Sequence, residues 1–183
     1  MGIADVAVTI YKSGRNHHIV CINYPSCINS GYFIRFPNSG YPLAFQQDAL
    51  ISHQGYQYVG YYDGKRRVCL ARRKHSEESW QVIRFEDYKF TSVDSHNTIS
   101  VGICPKDGTI HLAFDHHGHP LHYRVSQKRV ASQPKKAKWT ASLFGPVVSE
   151  LERGKPIALT YQRFWQTPQG CLLYTSPRPR DAT

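Results

Sequence analysis

The chain has 183 residues, room for one ordinary domain. Its 40% hydrophobic and 20% charged residues are a globular composition and exclude wholesale disorder. Lys and Arg number 23 against 13 Asp and Glu, and the formal charge of +10 suits an anionic partner such as nucleic acid, acidic lipid or acidic polysaccharide.

The N-terminal stretch MGIADVAVTIYKSGRNHH has no basic head followed by an apolar core, so no signal peptide is visible. No apolar run approaches the ~18 residues of a membrane span, and no membrane partner is expected. Residues 1–40 carry no clean repeat pattern and are set apart as a poorly defined segment. Twelve Tyr, eight Phe and three Trp favour β-structure over a helical bundle. Cysteines 21, 27, 69, 104 and 171 form no C-x-x-C, which argues against a zinc knuckle or a dense disulfide framework. Cys21 and Cys27 could pair, but buried free thiols are the preferred reading.

From residue 48 the pattern becomes regular. DALISHQGYQYVGYYDGKRRVCLARRK predicts a strand, a turn at His53-Gln54-Gly55 and a strand Tyr56–Tyr62. A turn at Asp63-Gly64 and a strand Arg66–Arg72 follow, Asp-Gly between alternating segments being a hairpin signal. A shift of 53 residues places Gly55 on Gly108, Val59 on Leu112, Tyr61 on Phe114 and Val68 on Leu121. The second unit, NTISVGICPKDGTIHLAFDHHGHPLHYRVSQ, therefore repeats the layout. SWQVIRF at 79–85 and KWTASLF at 138–144 are each read as a fourth strand. A third copy begins at IALTYQRFWQTPQGCLLY, with Gly170 in the place of Gly108. Such repeats, with about four strands apiece, are what propeller blades look like. The expectation is an all-β, partial β-propeller of about three blades of four-stranded antiparallel sheet, an incomplete chain with its blades over 41–170. Residues 171–183, CLLYTSPRPRDAT, read as a non-native tail.

Six of the ten histidines fall between 96 and 122. Strand alternation puts His111 and His122 on a face away from Ile110, Leu112 and Phe114. His116, His117 and His119 lie in a loop from Asp115 to Pro120, and His96 follows a strand break beside Asn97. Three readings of this cluster stand open: a metal site, although no H-E-x-x-H frame is present; histidines without a chemical role; and general acid–base work, for which imidazole titrates in the right range. The basic runs 65–74 and 124–138 come without an RNP signature, helix-turn-helix or finger spacing, so nucleic acid is disfavoured as partner.

The phrases DSHNTISVGICPKDGTIHLAFDHHGHPLHYRVS (94–126) and FQQDALISHQGYQYVGYYDGKRRVCLARR (45–73) resemble the BNR-repeat-containing proteins that include the β-propeller ulvan lyases. ALTYQRF resembles the same family's TYPRF segment, with Gln162 in place of proline. The resemblance implies a polysaccharide lyase acting by β-elimination on a sulfated, uronate-containing polymer. In that chemistry the uronate carboxylate is neutralised, a base removes the C5 proton and an acid protonates the departing O4. It also implies catalytic roles for His96, His116 and Tyr161. His96 or Tyr161 would be the base, Tyr161 the donor to O4, and His116 the group that holds the substrate or polarises its carboxylate. Asn97, His117 and Arg163 would bind substrate. The family's arginine beyond its TYPRF segment has no match in CLLYTSPRPRDAT. The implied partner is an acidic polysaccharide, the implied location extracellular. The chemistry requires no cofactor; a structural metal and the oligomeric state stay open. The alternative is a non-catalytic carbohydrate-binding propeller.

Overall fold

The computed structural model describes residues 7–13, 17–23, 50–91, 97–136, 138–155, 158–167, 170 and 172–175. His96, Cys27 and Cys171 lie outside them, and so do the positions of Arg178 and Arg180. In the N-terminal part, β1 (Ala7–Ser13) and β2 (His17–Asn23) pair as an antiparallel hairpin running from Ala7↔Asn23 to Ser13↔His17.

The first large sheet contains β3 (Leu50–His53), β4 (Tyr56–Tyr62), β5 (Arg67–Lys74) and β6 (Gln81–Lys89), hydrogen-bonded in chain order and antiparallel throughout. SWQVIRF thus supplies the fourth strand, as its alternation suggests. Gln54 and Gly55 turn the first hairpin, both with positive φ (46° and 78°), the primed geometry that matches strand twist. The second turn is built differently from the Asp-Gly expectation. Arg66, not Gly64, takes the left-handed conformation (φ 63°), and Asp63 shapes the loop through its carboxylate. Asp63 Oδ1 accepts from the Lys65 and Arg67 amides at 2.9 Å each, and Oδ2 pairs with the Arg67 guanidinium at 2.6 Å.

A second sheet repeats the plan: β7 (Ile99–Ile103), β8 (Ile110–Phe114) and, after a short strand β9 (His117–Pro120), β10 (Tyr123–Val125), in the order β10-β8-β7. Gly108 (φ 69°) occupies the turn before β8 as Gly55 does before β4. The proposed fourth strand at 138–144 is not one. A single 3-10 turn covers Ala141–Leu143, and only isolated bridges link this stretch back, Tyr123↔Val148 to β10 and Ser126↔Phe144 just beyond it. Pro146, which has no N–H, lies between those bridges, and the Thr140 and Ser142 hydroxyls bond one another at 2.8 Å.

β9 pairs with β11 (Ala158–Thr160), and β12 (Arg163–Gln166) pairs with β13 (Leu172–Thr175), whose residues the sequence reading assigns to the tail. Gly170 is again left-handed (φ 76°). Among the described residues the fold is all-β and antiparallel, and no sheet closes on itself. Among the described residues no helix is long and apolar enough to cross a membrane.

The sheets stack face to face. Tyr58, Val68, Leu70, Ile83 and Phe85 of the first sheet form one core with Ile99, Val101, Ile103, Ile110, Leu112 and Phe114 of the second. β4, β5, β7 and β8 are buried on both faces, which accounts for apolar runs such as YVGYY and ISVGI that do not alternate. Glycines mark two of the tightest contacts. A Cβ on Gly60 would lie 2.7 Å from Ile99 Cγ2 and 2.8 Å from Val101 Cγ2, and one on Gly102 would lie 2.5 Å from Phe164 Cγ. Gly102→Ala is therefore expected to cost about 1–3 kcal/mol of stability, the usual penalty of overpacking, measured as a lowered urea midpoint with an unchanged slope. A stability equal to the parent's would refute the contact.

Part of the positive charge serves this frame. Arg124 pairs with Asp87 and lies 4.1 Å from the Phe85 ring centre, and Arg72 lies 4.3 Å above Trp139 while its Nε donates to Gln81 at 2.8 Å. The basic run at 65–74 is thus partly structural. Lys128, Arg129, Lys135, Lys136 and Lys138 are exposed.

Candidate functional site

The end of β8 sets up the polar cluster. Asp115 leaves the strand with φ 60°, and its amide donates to the Thr98 carbonyl at 3.2 Å. Its carboxylate, in a residue only 5% exposed, accepts hydrogen bonds from the Tyr88 hydroxyl and from Asn97 Nδ2. Burial pushes the Tyr88 hydroxyl far above its ordinary range, and its hydrogen bond to Asp115 adds to this, so the phenol keeps the proton it donates. Asn97 is fully buried, and Nδ2 also donates to His119 Nδ1 at 3.2 Å. The His117 amide donates to the same nitrogen at 3.3 Å. Asp115, Asn97 and His119 thus form one hydrogen-bonded chain.

His116, next to Asp115, is fully buried. Its Nε2 accepts the His122 amide at 2.7 Å, which places the ring proton on Nδ1. Nδ1 lies beside the Gln162 side chain without an ideally placed hydrogen bond. Burial lowers the His116 pKa to about 4, despite hydrogen bonding by Gln162, which favours the cation. His122 stacks on His116 (centroids 5.8 Å apart, 9° between planes) and packs 4.8 Å from Tyr88. Burial lowers its pKa as well.

Gln162 ties the last strands to the first two sheets. Its Nε2 donates to the Thr98 and Ala113 carbonyls at 3.1 Å each, and its own carbonyl accepts from Ser100 Oγ at 2.7 Å. The residue before it, Tyr161, sits between β11 and β12 with φ 54°. A non-glycine residue held there costs on the order of 1 kcal/mol or more, and such strain gathers at functional sites. The Tyr161 amide donates to the His116 carbonyl at 3.4 Å, and its ring stacks on His117 with centroids 5.7 Å apart.

The structure therefore brings Asn97, His116, His117 and Tyr161 into one neighbourhood. His96 lies outside the described residues, immediately before Asn97. Arg163 is the first residue of β12, half-buried, and forms no ion pair with a described residue. His117 and His119 belong to a strand, β9, rather than to the loop expected from their sequence. His111 does lie on the face away from Ile110 and Leu112, but Phe164 and Tyr123 cover it there: Nδ1 bonds the Tyr123 hydroxyl at 2.6 Å and Nε2 the Thr109 hydroxyl at 2.7 Å. Asp115, Tyr88 and Gln162 have no site role legible in the sequence, and His119 stands there as a member of the histidine cluster with no role of its own. Asp115 is legible only as the acid that opens DHHGH, and Tyr88 gives no signal. A groove of about 280 Å³ between Ile51 and Ser52 of β3, Gly102 and Ile103 of β7, and Phe164 and Gln166 of β12 holds no titratable group, so the chemistry is assigned to the histidine cluster instead. Among the described residues no three His, Cys, Asp or Glu side chains are grouped to hold a metal ion.

A family model described as BNR repeat-containing family member matches residues 56–178. The long isoform of ulvan lyase from Alteromonas sp. (strain LOR) is 26% identical over 203 residues, covering 90% of this chain and 20% of that protein. Its counterpart from Pseudoalteromonas sp. (strain PLSV) is 24% identical over the same shares. The chain thus spans about a fifth of the length of these curated relatives. Among solved structures, polysaccharide lyase Uly1 superposes with a TM-score of 0.60 at 21% identity, over 94% of this chain and 43% of that one, a likeness of fold.

Proposed function

Since the chain belongs to the BNR repeat-containing family, we propose that it is part of a polysaccharide lyase whose stacked sheets are propeller blades drawn from residues 41–170 together with β13. The proposed substrate is an anionic, sulfated, uronate-containing polysaccharide of the ulvan type, met outside the cell and cleaved by β-elimination. The relatives named above support the reaction class. The single observation that carries it to this site is Tyr161. It is held left-handed between two strands, stacked on His117 and tied by its amide to the His116 carbonyl.

In the elimination, the C5 proton passes to a base as the C5 carbanion, delocalised as an enolate into the carboxylate, forms. The C4–O4 bond then breaks and O4 takes up a proton. Tyr161 is the proposed donor to O4, with His96 or Tyr161 itself as base. His117, stacked on Tyr161, and Arg163, two residues beyond it in sequence, contact the sugar. His116, with Nε2 closed by the His122 amide, acts by holding the backbone of Tyr161.

The test is incubation with ulvan, followed by the ultraviolet absorbance of the unsaturated uronate. Tyr161→Phe should slow its appearance by roughly 10²–10⁴, the range of a lost general acid or base. An undiminished rate would remove Tyr161 from the chemistry. Binding of ulvan with no new absorbance would favour the carbohydrate-binding alternative.

A further inference from the structure

The elimination needs a partner for the uronate carboxylate, and the hydrogen-bond chain from Asp115 points to one. The Asn97 side-chain amide has two hydrogens. One goes to Asp115 Oδ1 and the other to His119 Nδ1. The amide cannot be turned over, because its oxygen would then face a buried carboxylate. With Asn97 so fixed, and with the His117 amide donating to the same nitrogen, His119 Nδ1 is an acceptor twice. The ring proton therefore lies on Nε2, the nitrogen directed away from the Asp115–Asn97 chain.

Position adds to this. Burial alternates along β9, His117 and His119 half-buried and Gly118 and Pro120 exposed, so the two histidines share a face. The His117 ring stacks on Tyr161. Asn97, which orients His119, directly follows His96. A donor whose direction is set in advance by buried partners loses no reorganisation energy when charge develops on the group it faces.

We infer that His119 Nε2–H is the hydrogen-bond donor that holds the uronate carboxylate of the substrate. The assignment rests on the elimination reading. An imidazole N–H directed at the carboxylate stabilises the enolate formed when C5 loses its proton, and takes no part in the proton transfer itself. Asn97 and Asp115 are positioning residues, acting through His119.

The experiment uses the full chain with ¹⁵N-labelled histidine. Long-range proton–nitrogen spectra should show His119 as the Nε2–H tautomer. Its Nε2 resonance should move on titration with ulvan oligosaccharides and stay in place with the same oligosaccharides carboxyl-reduced. His119→Ala should weaken binding of the uronate form about tenfold or more, as for a hydrogen bond to a charged group, and leave the carboxyl-reduced form unaffected. A proton on Nδ1, or equal shifts with both ligands, would overturn the assignment without need of any variant. If His119 responds to the carboxylate while ulvan yields no unsaturated product, the lyase reading fails and the carboxylate site stands. If His119→Ala forms product with unchanged rate and affinity, the site fails and the lyase reading stands.

Discussion

Asp115→Ala is expected to lose about 3–7 kcal/mol of folding stability, measured by urea unfolding at neutral pH. Two buried donors, the Tyr88 hydroxyl and Asn97 Nδ2, are left without their acceptor, at about 1–3 kcal/mol each. Alanine at φ 60° adds on the order of 1 kcal/mol. Asp115→Asn separates these effects. Asparagine tolerates the left-handed backbone and keeps one acceptor oxygen, so its loss should be roughly half as large. Equal losses in the two variants would show that the carboxylate is not the centre of the network. In Asp115→Ala, Asn97 loses its anchor and the His117 amide is left to fix the His119 tautomer.

Stability is expected to fall by about 3 kcal/mol between pH ~6.5 and pH ~4 through His116 alone. Its pKa in the folded chain is lowered to about 4, so over that interval the unfolded chain takes up a proton that the folded chain refuses. Above the unfolded value neither state is protonated and the effect vanishes. Below the folded value both are, and the loss levels off. Burial lowers His111 and His122 too, which adds loss of the same sign. Unfolding free energies at pH 7, 5.5 and 4.5 measure the slope, and His116→Gln should flatten most of it. A wild-type slope no steeper than that of the variant would mean that His116 is open to solvent.

The sequence shows the hairpin units well because turn chemistry is local. Gly55, Gly108 and Gly170 all take the positive φ that the alignment of units implies, and each precedes a strand. The fourth strand expected in the second unit does not form, since the alternation in KWTASLF is real but serves packing. Trp139 covers Tyr58 and Arg72 while Pro146 interrupts the ladder. The site is less legible. Adjacency in sequence does not show that His116 is sealed against the His122 amide while His117 lies on Tyr161. The partners that orient the cluster come from separate strands and loops: Tyr88, Asn97, Asp115 and Gln162 meet only after the sheets stack. Nothing in the spacing of those residues encodes their meeting.

The Gly102–Phe164 contact has a mechanical consequence for Tyr161. Phe164 stands three residues beyond it and is seated in the second sheet, while Gln162 grips Thr98 and Ala113 between them. Tyr161 is thus cantilevered from two footings, both on the same sheet that carries Asp115 and His116. On the proposed reading, tension on a bound polymer would be borne by that sheet as one body, keeping Tyr161, the proposed proton donor, at a fixed spacing from Asp115 and His116.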